Sequence, residues 1–464
     1  MKPIINIKYA FALSVSLIFI GSCKKEDKFL DAKPNQNLAI PSSLNDLVNL
    51  LNNETVFNRG ADPALGEISS DDFNVADIIY PNLSLNLERN TYTWQQTLYD
   101  ATFTQIPDWN NPYAIIYYSN VILETLPKVS TPAQQTLADQ IKGAALFYRG
   151  YSYYNLVQTF ALPYDAGNAT NIPGVPIRLT SNLNSRPQRA NLADCYKQII
   201  ADIKQSIILL PVVPKLKTQP SQPAANALLA RIELALGDYS KALNYANACL
   251  AKYSSLTDYY KLTTPSTTGL SKTYLEEDIY HSTLNNYSVF SRTFNYVNTS
   301  FVALYDVNDL RKTKLFTILN NQTQYPRFVG SYDIRSLKYS GIATDEVYLI
   351  KAECLARSND IDDAMSTLNT LLIKRWKPNT FIPFSASNQD DALNKILLER
   401  RKELLFRGLR WTDLRRLNKD PRYAVHLTRV LANTTYTLPP NDPRYAMPIP
   451  DNEISLEGIT QNPR

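Results

Sequence analysis

Apolar residues recur every three to four positions through much of the chain, separated by polar residues. Near the amino terminus, Leu44, Leu47 and Leu51 share one helical face, and Ser42 or Ser43 can cap that helix. Longer stretches with the same period predict helices over 113–126, 137–160, 195–210 and 391–417. The pattern predicts a fold dominated by α-helices.

Single residues predict two boundaries of these helices. Pro127 is expected to stop the helix over 113–126, because proline has no N–H for the helical ladder. Asp194 is expected to cap the helix over 195–210, since its carboxylate can accept from the first free N–H groups. Both are predictions about where a helix ends, not about what it packs against.

Two stretches carry the same pattern of small and apolar residues, 224–251 and 344–373, and their equivalent positions are 122 residues apart. Small residues allow two antiparallel helices to approach, and Gly237 and Asn359 stand at the turns, where a left-handed backbone is needed. This pattern is typical of tetratricopeptide (TPR) helical hairpins. The stretch 137–210 is expected to form a third hairpin with an insertion between its arms.

Two regions lack long periodic runs. Residues 53–112 and 253–342 are rich in Asn, Asp, Ser, Thr and Tyr. Short alternating pieces within the second region predict a few small strands. We expect both regions to be loop-rich insertions that project from the helical scaffold.

The first residues have the features of an export signal. Lys2 and Lys8 precede an apolar run over 9–20, and Gly21-Ser22 stands before Cys23. That run is shorter than the ~20 apolar residues of a membrane-spanning helix. We therefore expect 1–22 to be a lipoprotein signal peptide, Cys23 to carry lipid, and 23–41 to be a polar tether.

Composition argues against several classes of protein. The formal net charge of +5 includes Lys2 and Lys8, which leaves too little positive charge, and no basic block, for a nucleic-acid-binding protein. The only histidines, His281 and His426, are far apart and have no second ligand at metal-binding spacing. No cofactor is expected. The cysteines after Cys23 lie in helical stretches and are expected to be buried packing residues: Cys195, Cys249 and Cys354.

Near the carboxyl end, the segment from Ile396 to Arg416 resembles the terminal signature of the SusD/RagB family of outer-membrane lipoproteins. Phe29-Leu30-Asp31 with Pro34 resembles the start of the mature family members, and Met447-Pro448-Ile449-Pro450 resembles their closing segment. The resemblance implies that 42–464 is a single SusD-like domain with TPR hairpins near 137–210, 224–251 and 344–373.

The terminal signature also has a structural interpretation from its residues alone. Glu403 and Arg407 are four residues apart and are expected to pair on one helix face. Arg410, Arg415 and Arg416 have stems that can cover the helix and heads that can reach carboxylates. A basic groove for an anionic ligand is the functional alternative.

The resemblance implies a surface-exposed lipoprotein that binds an oligosaccharide or a peptide nutrient. Such a protein delivers its ligand to a SusC-like TonB-dependent transporter and is held at the outer membrane by the lipid on Cys23. Lys25-Glu26-Asp27 resembles the export signal of such surface lipoproteins, which implies that the protein faces the cell exterior. No partner nucleic acid and no cofactor follow from the resemblance, and a structural calcium ion is not indicated.

In this family the ligand surface is made largely by irregular segments, which correspond here to 67–110 and 253–342. Flat aromatic rings stack on sugar faces, and Asn, Asp and Arg side chains meet sugar hydroxyl groups. Trp94 can equally be a core residue. The candidate ligand-binding residues are Asp72, Asn74, Tyr80, Arg89, Tyr92, Trp94, Tyr287, Phe290 and Tyr296.

Two other functions stay open, a lipid-anchored glycoside hydrolase and a TPR protein-interaction scaffold. A glycosidase needs two carboxylates that face each other across a cleft. The adjacent pairs Asp71-Asp72, Glu276-Glu277 and Asp362-Asp363 do not provide this, because neighbouring side chains diverge. The last pair instead suits the start of a helix, where negative charge is favourable.

Overall fold

The computed structural model describes residues 41–100, 105–262, 269–318, 325–335 and 337–464. The predicted signal peptide, Cys23 and the tether up to residue 40 lie outside the described residues, so the prediction of lipidation stays a prediction. Residues Ser43–Arg464 belong to one compact unit.

Helices dominate the described residues, as predicted. The α-helices are α1 (Leu44–Leu51), α2 (Glu54–Phe57), α3 (Leu65–Ser69), α4 (Asn86–Tyr92), α5 (Pro107–Val129), α6 (Gln135–Phe160), α7 (Leu192–Leu209), α8 (Gln222–Leu236), α9 (Tyr239–Leu250), α10 (Thr299–Val302), α11 (Arg311–Lys314), α12 (Thr344–Arg357), α13 (Ile361–Leu372), α14 (Gln389–Glu403), α15 (Arg410–Leu417) and α16 (Asp451–Glu457). Within the described part of the chain, none of the helices combines the length and the apolar character needed to cross a bilayer.

The strands are short and pair only in twos. They are β1 (Asn74–Val75), β2 (Pro173–Pro176), β3 (Arg189–Asn191), β4 (Asp278–Tyr280), β5 (Asn295–Tyr296), β6 (Phe316–Ile318), β7 (Pro326–Phe328), β8 (Ile342–Ala343), β9 (Leu427–Leu431) and β10 (Thr434–Leu438). The pairs β1–β5, β2–β3, β4–β8, β6–β7 and β9–β10 are all antiparallel. Because β1–β5 and β4–β8 join distant parts of the chain, these small sheets help to fix the position of the insertions.

Helix ends match the sequence predictions in part. Ser43 caps α1 in a reciprocal capping box with Asp46, as expected. The cap of α7 is Asn191, whose side chain accepts from the N–H of Asp194, so the prediction of Asp194 as the cap was wrong. Pro127 does not stop α5, which continues to Val129, because a proline in the last turn removes only one backbone bond.

The two repeated stretches form TPR-like hairpins, α8–α9 and α12–α13, as predicted. Gly237 has φ 82° and Asn359 has φ 64°, so both turns use the left-handed backbone. In each turn the same bond closes the helix: Asp238 N–H donates to the Glu233 carbonyl and Asp360 N–H to the Leu355 carbonyl, both at 2.9 Å. The equal turns confirm the repeat at the level of single hydrogen bonds.

Helices α6 and α7 pack as the third hairpin. The approach is close at Gly150, where a Cβ atom would lie 2.7 Å from Cδ1 of Ile203. Arg149 and Asp202 form a buried ion pair at 2.7 Å across the same contact. The insertion between the arms carries β2 and β3, as the sequence predicted in outline.

The terminal signature is two helices and not one. Helix α14 ends at Glu403, the backbone turns left-handed at Phe406 (φ 59°) and Gly408 (φ 73°), and α15 begins at Arg410. A continuous helix over 391–417 was therefore a wrong prediction, and so was its Glu403–Arg407 pair. Arg407 lies beyond the helix and pairs with Asp345 at 2.5 Å instead.

Two of the three arginines of α15 bind carboxylate groups, as the sequence predicted. Arg410 binds Asp71 at 2.6 Å, and Arg416 binds Glu353 at 2.6 Å. Arg415 donates instead to backbone carbonyl groups, including that of Ala161 at 2.8 Å. These contacts fix α15 against earlier parts of the chain, so the arginines of the terminal signature have a structural role.

Two arginines with no solvent exposure hold the second insertion against α14. Arg311 binds Asp309, Glu399 and Glu403 at 2.5–2.8 Å. Arg375 binds Glu277 at 2.8 Å and Glu403 at 2.7 Å. Because each carboxylate is already paired, removing one member would leave a buried charge uncompensated, which costs about 3–5 kcal/mol.

His281 is a buried charged group at the edge of β4. Its Nδ1 lies 2.6 Å from Asp278 and its Nε2 lies 3.2 Å from Asp333. Burial opposes protonation, but the hydrogen bonds and charges of the two aspartates outweigh it and raise the pKa of His281 to about 9. His281 is therefore an imidazolium in the folded protein at neutral pH, whereas in the unfolded chain its pKa is near the ordinary value of 6.5.

We expect Gly237→Ala to destabilise the protein by about 1 kcal/mol, because a left-handed backbone is unfavourable for alanine. A Cβ atom at Gly237 meets nothing within 4 Å, so the loss is a backbone effect alone. Gly237→Asn is the control, and it should lose less, because asparagine holds the equivalent turn at Asn359. Urea unfolding measures both; a Gly237→Ala variant as stable as the wild type would contradict the assignment.

We expect the stabilisation contributed by His281 to be full below pH 6.5 and to disappear as the pH rises to about 9. The folded-state pKa is raised, so the folded protein binds the proton more tightly and loses this advantage once it deprotonates. The gap in unfolding free energy between wild type and His281→Gln should shrink by about 3 kcal/mol across that window. The exposed His426→Gln is the control, and a gap independent of pH would refute the imidazolium.

Candidate functional site

Strand pairing brings together the two segments that the sequence analysis chose for the ligand surface. Asn74 of β1 lies opposite Tyr296 of β5, and Val75 lies opposite Asn295. A second link follows nearby, where the Ser84 N–H donates to the Ser288 hydroxyl at 3.0 Å. Residues far apart in sequence thus form one continuous surface.

A cavity of about 690 Å³ lies between these segments. Its wall combines hydroxyl and amide groups with a few aromatic rings and charged groups. The lining residues include Leu87, Glu88, Tyr287, Phe290, Phe328 and Lys338. Such a mixture of apolar walls and a few polar groups is typical of small-molecule sites.

Tyr287 and Phe290, both predicted candidates, line this cavity with largely buried side chains. The Tyr287 hydroxyl donates to Asp108 at 2.5 Å, and Asp108 also accepts from the Leu65 N–H at 2.9 Å. Burial raises the pKa of Asp108, although these hydrogen bonds oppose the shift. The Tyr287 side chain is therefore fixed in place, and its ring is a rigid part of the cavity wall.

Tyr296 is a partly exposed aromatic residue of this surface. Its ring stacks on that of Tyr325, with centroids 4.4 Å apart and planes at 22°. Tyr325 is 42% exposed and Tyr296 is half-buried. The Arg327 guanidinium lies 5.8 Å from the Tyr296 ring. We call Asn74, Tyr296 and Tyr325 the tyrosine platform.

Tyr92 and Trp94, in contrast, are core residues. Both are buried, and the guanidinium of Arg429 lies 3.6 Å from the Tyr92 ring and 4.6 Å from the Trp94 ring. The Trp94 indole N–H donates to the Ser69 carbonyl at 3.0 Å. Their burial contradicts the choice of Tyr92 and of Trp94 as ligand-binding candidates, because Arg429 from β9 covers them. The core alternative for Trp94 is the one observed.

Asp72 is also buried, and it stabilises the loop that follows α14. It accepts from the Phe406 N–H at 3.3 Å, next to Glu67, which accepts from the Gly408 N–H at 2.9 Å. Burial raises the pKa of Asp72 to about 6, although Arg401 opposes the shift. A buried carboxyl group with this role does not face a ligand, so this candidate too was misplaced.

The remaining candidates lie at or near the surface. The Tyr80 hydroxyl donates to the Arg89 carbonyl at 3.2 Å. The Arg89 guanidinium donates to the Leu83 carbonyl and to Asn86, so it braces its own loop. Asn74 is half-buried beside Tyr296. Of these three, Asn74 is the one that the structure brings to the tyrosine platform.

Sequence reasoning missed two residues of the surface, Tyr325 and Lys338. Tyr325 stands just before β7, within the predicted insertion, and its alternation with Arg327 was the available signal. Lys338 is 7% exposed and lines the cavity, although nothing in the sequence around it marks a buried lysine. Its environment depends on Phe328 and Phe406, which arrive from different parts of the chain.

One acidic cluster in the described residues has the geometry of a cation site: Glu277, Asp345 and Glu403. Its carboxylates are paired with Arg375 and Arg407 at 2.5–2.8 Å. A metal ion would have to displace these guanidinium groups. The cluster is therefore explained by its ion pairs.

Two family models match the chain. One, described as starch-binding associating with outer membrane, matches residues 28–234, and the other, described as the SusD family, matches residues 342–464. The SusD-like protein P2 of Formosa agariphila is 24% identical over 376 residues, which cover 67% of this chain and 71% of that protein.

Solved structures agree on the fold. A SusD superfamily protein from Bacteroides thetaiotaomicron is similar with a TM-score of 0.73 and 22% identity, over 91% of this chain and 100% of that one. A SusD-like carbohydrate binding protein from Bacteroides vulgatus is similar with a TM-score of 0.68 and 19% identity, over 90% and 97%. With both family models matched in order and the fold shared along nearly its whole length, the chain belongs to the SusD/RagB family.

Proposed function

We propose that this protein is a surface lipoprotein that captures an oligosaccharide and delivers it to a SusC-like TonB-dependent transporter. The observation that carries the binding step is the tyrosine platform. Its stacked rings, 4.4 Å apart, offer an accessible aromatic face at the junction of both insertions. Sugar rings bind to such faces through their C–H groups, while neighbouring polar groups meet the hydroxyls.

The cavity beside the platform extends the binding surface. Phe328, the last residue of β7, lines the cavity three residues after Tyr325, and Phe290 lines it from another part of the same insertion. Ser288 presents its backbone N–H to Glu88 at 2.8 Å, so part of the polar wall is fixed in orientation. A chain of several sugar units can then contact both the platform and the cavity.

Binding without hydrolysis is favoured by the carboxylates at the cavity. Among the described residues that line it, Glu88 is the single carboxylate, and both of its oxygens accept from Ser288. Glycoside hydrolysis needs a facing pair, one of them an acid. Of the adjacent acidic pairs, Asp362-Asp363 lies in the first turn of α13, a structural position.

A TPR scaffold for a protein partner is less favoured because the hairpins are occupied by their own chain. Nearly every residue of α8 is buried, including Arg231, which binds Glu346 of α12 at 2.6 Å. A TPR surface that recruits a partner needs an open concave face. The insertions are therefore the better candidates for ligand contact.

The delivery step rests on family membership and on the lipid predicted for Cys23. Tethering a binding protein at the outer membrane keeps its ligand at high effective concentration near a transporter. A modest affinity for the oligosaccharide then suffices, and release to the transporter is fast.

We expect Tyr296→Ala and Tyr325→Ala each to weaken oligosaccharide binding by about 2- to 10-fold, the value of a single aromatic contact. Isothermal titration calorimetry against a glycan panel measures the effect, and the thermal midpoint should change little. Tyr260→Ala is the matched control, because Tyr260 is 61% exposed in the same insertion and outside the platform. Unchanged affinity in both platform variants would remove this surface from the proposal.

We expect Trp94→Ala to lower the unfolding free energy by about 3–5 kcal/mol, because it removes a buried indole and leaves a cavity. Urea unfolding at neutral pH measures the loss. The variant should show weaker binding only where it is partly unfolded. A stable variant with reduced affinity would instead return Trp94 to the ligand surface.

We expect Cys23→Ser to release the protein from the outer-membrane fraction and to abolish co-purification of a barrel transporter. Fractionation of the native cells and affinity capture of a tagged chain measure both effects, and mass spectrometry of the wild type identifies the lipid. Cys249→Ser is the control, because this cysteine is buried within α9. Membrane retention of Cys23→Ser would contradict the lipid anchor, and capture without the transporter would contradict delivery.

A further inference from the structure

Lys338 is a buried cation on the cavity wall with no ion pair among the described residues. Its side chain is 7% exposed, and its Nζ lies 5.1 Å from the Phe328 centroid and 4.8 Å from the Phe406 centroid. No described carboxylate lies within 4.0 Å of Nζ. Two aromatic faces offset only part of the cost of burying an ammonium group, so Lys338 lacks the direct ion-pair partner that buried charges usually have.

The charged groups around Lys338 do not supply the missing counter-charge. Glu67 accepts from the Gly408 N–H at 2.9 Å and forms no ion pair with Lys338, and burial and the neighbouring Asp72 raise its pKa well above its usual range. Glu88 is engaged by the N–H and hydroxyl groups of Ser288. Arg292, which also lines the cavity, adds a second positive charge. Burial lowers the pKa of Lys338 to about 8, and Arg292 adds to this shift against the opposing Glu67.

The rest of the cavity wall suits a sugar. Ser84, Gln105, Asn286, Ser291 and Ser331 contribute hydroxyl or amide groups. Neutral hydroxyl and amide groups of this kind exchange hydrogen bonds readily with sugar hydroxyls. The cavity thus combines a wall for neutral sugar groups with one region of positive charge.

We propose that the cavity binds an oligosaccharide that carries an anionic group, a uronic acid carboxylate or a sulfate ester, and that Lys338 is its counter-charge. The inference rests on the proposed function and specifies its substrate class. An anionic group placed beside Nζ would form a charge-assisted hydrogen bond with a lysine that is itself only 7% exposed. Its binding would complete an ion pair of which the protein supplies only one half.

The test compares charged probes with their neutral counterparts on the purified full chain at pH 7. Titration calorimetry would use a hexagalacturonate with its methyl ester, and a sulfated carrageenan hexasaccharide with its desulfated form. At least one charged probe should bind about 10-fold more tightly than its neutral counterpart, the value of one hydrogen bond to a charged group. The probe that shows the preference identifies the group as carboxylate or sulfate.

Lys338→Met should abolish that preference and leave binding of the neutral probe unchanged, whereas Lys338→Arg should keep it. Lys272→Met, an exposed lysine of the same insertion, is the matched control and should keep the preference as well. If Lys338→Met does not fold, the wild type still decides. Its preference must fall as the pH rises through about 8, where the amine loses its proton, and must stay constant in Lys338→Arg.

Equal affinity for charged and neutral probes in the wild type would overturn the inference, as would a preference that survives in Lys338→Met. If neutral glycans bind and depend on Tyr296 and Tyr325 without any charge preference, the proposed function stands and this inference alone fails. If no glycan of either kind binds to the folded protein, both fail.

Discussion

The rest of this structure depends on two arginine side chains that are completely buried. Arg311 and Arg375 lie wholly inside the protein, and Glu403 binds both. A guanidinium removed from water must have its donors met by carboxylates or carbonyls in fixed geometry. These ion pairs therefore set the position of the second insertion relative to α14, and the insertion cannot shift without stranding several charges.

The same arrangement supports the candidate ligand surface. The segment after Glu403 turns through Phe406, whose ring stacks on Phe328 at 4.7 Å and on Phe73 at 5.4 Å. Phe73 precedes β1 of the first insertion and Phe328 ends β7 of the second. One loop of the family signature thus links the buried charges to the rings beneath the cavity, which explains how irregular segments can hold a defined shape.

Much of the scaffold could be predicted from the sequence, because helices and TPR-like turns depend on local chemistry. Gly237 and Asn359 marked their turns correctly, since few residues accept a left-handed backbone. The break between α14 and α15 was not predicted, because a bulky residue with positive φ, such as Phe406, has no sequence signature. A hydrogen bond to the distant Asp72 stabilises this conformation. For the candidate ligand surface the sequence predicted two insertions, which β1 and β5 join, whereas Trp94 and Tyr92 were misplaced because Arg429, which covers them, is more than 300 residues away.

The pairing of β1 with β5 has a consequence for how the protein matures. Ser84 and Ser288 are 204 residues apart, and Phe406 binds Asp72 across 334 residues. Contacts of such long range close late in folding, after the local hairpins have formed. Strand β1 of the first insertion therefore has no partner strand until the chain has been synthesised as far as residue 296. A chain terminated before residue 295 would contain the α6–α7 and α8–α9 hairpins but not the β1–β5 pair, so the surface at the junction of the two insertions forms only in longer chains.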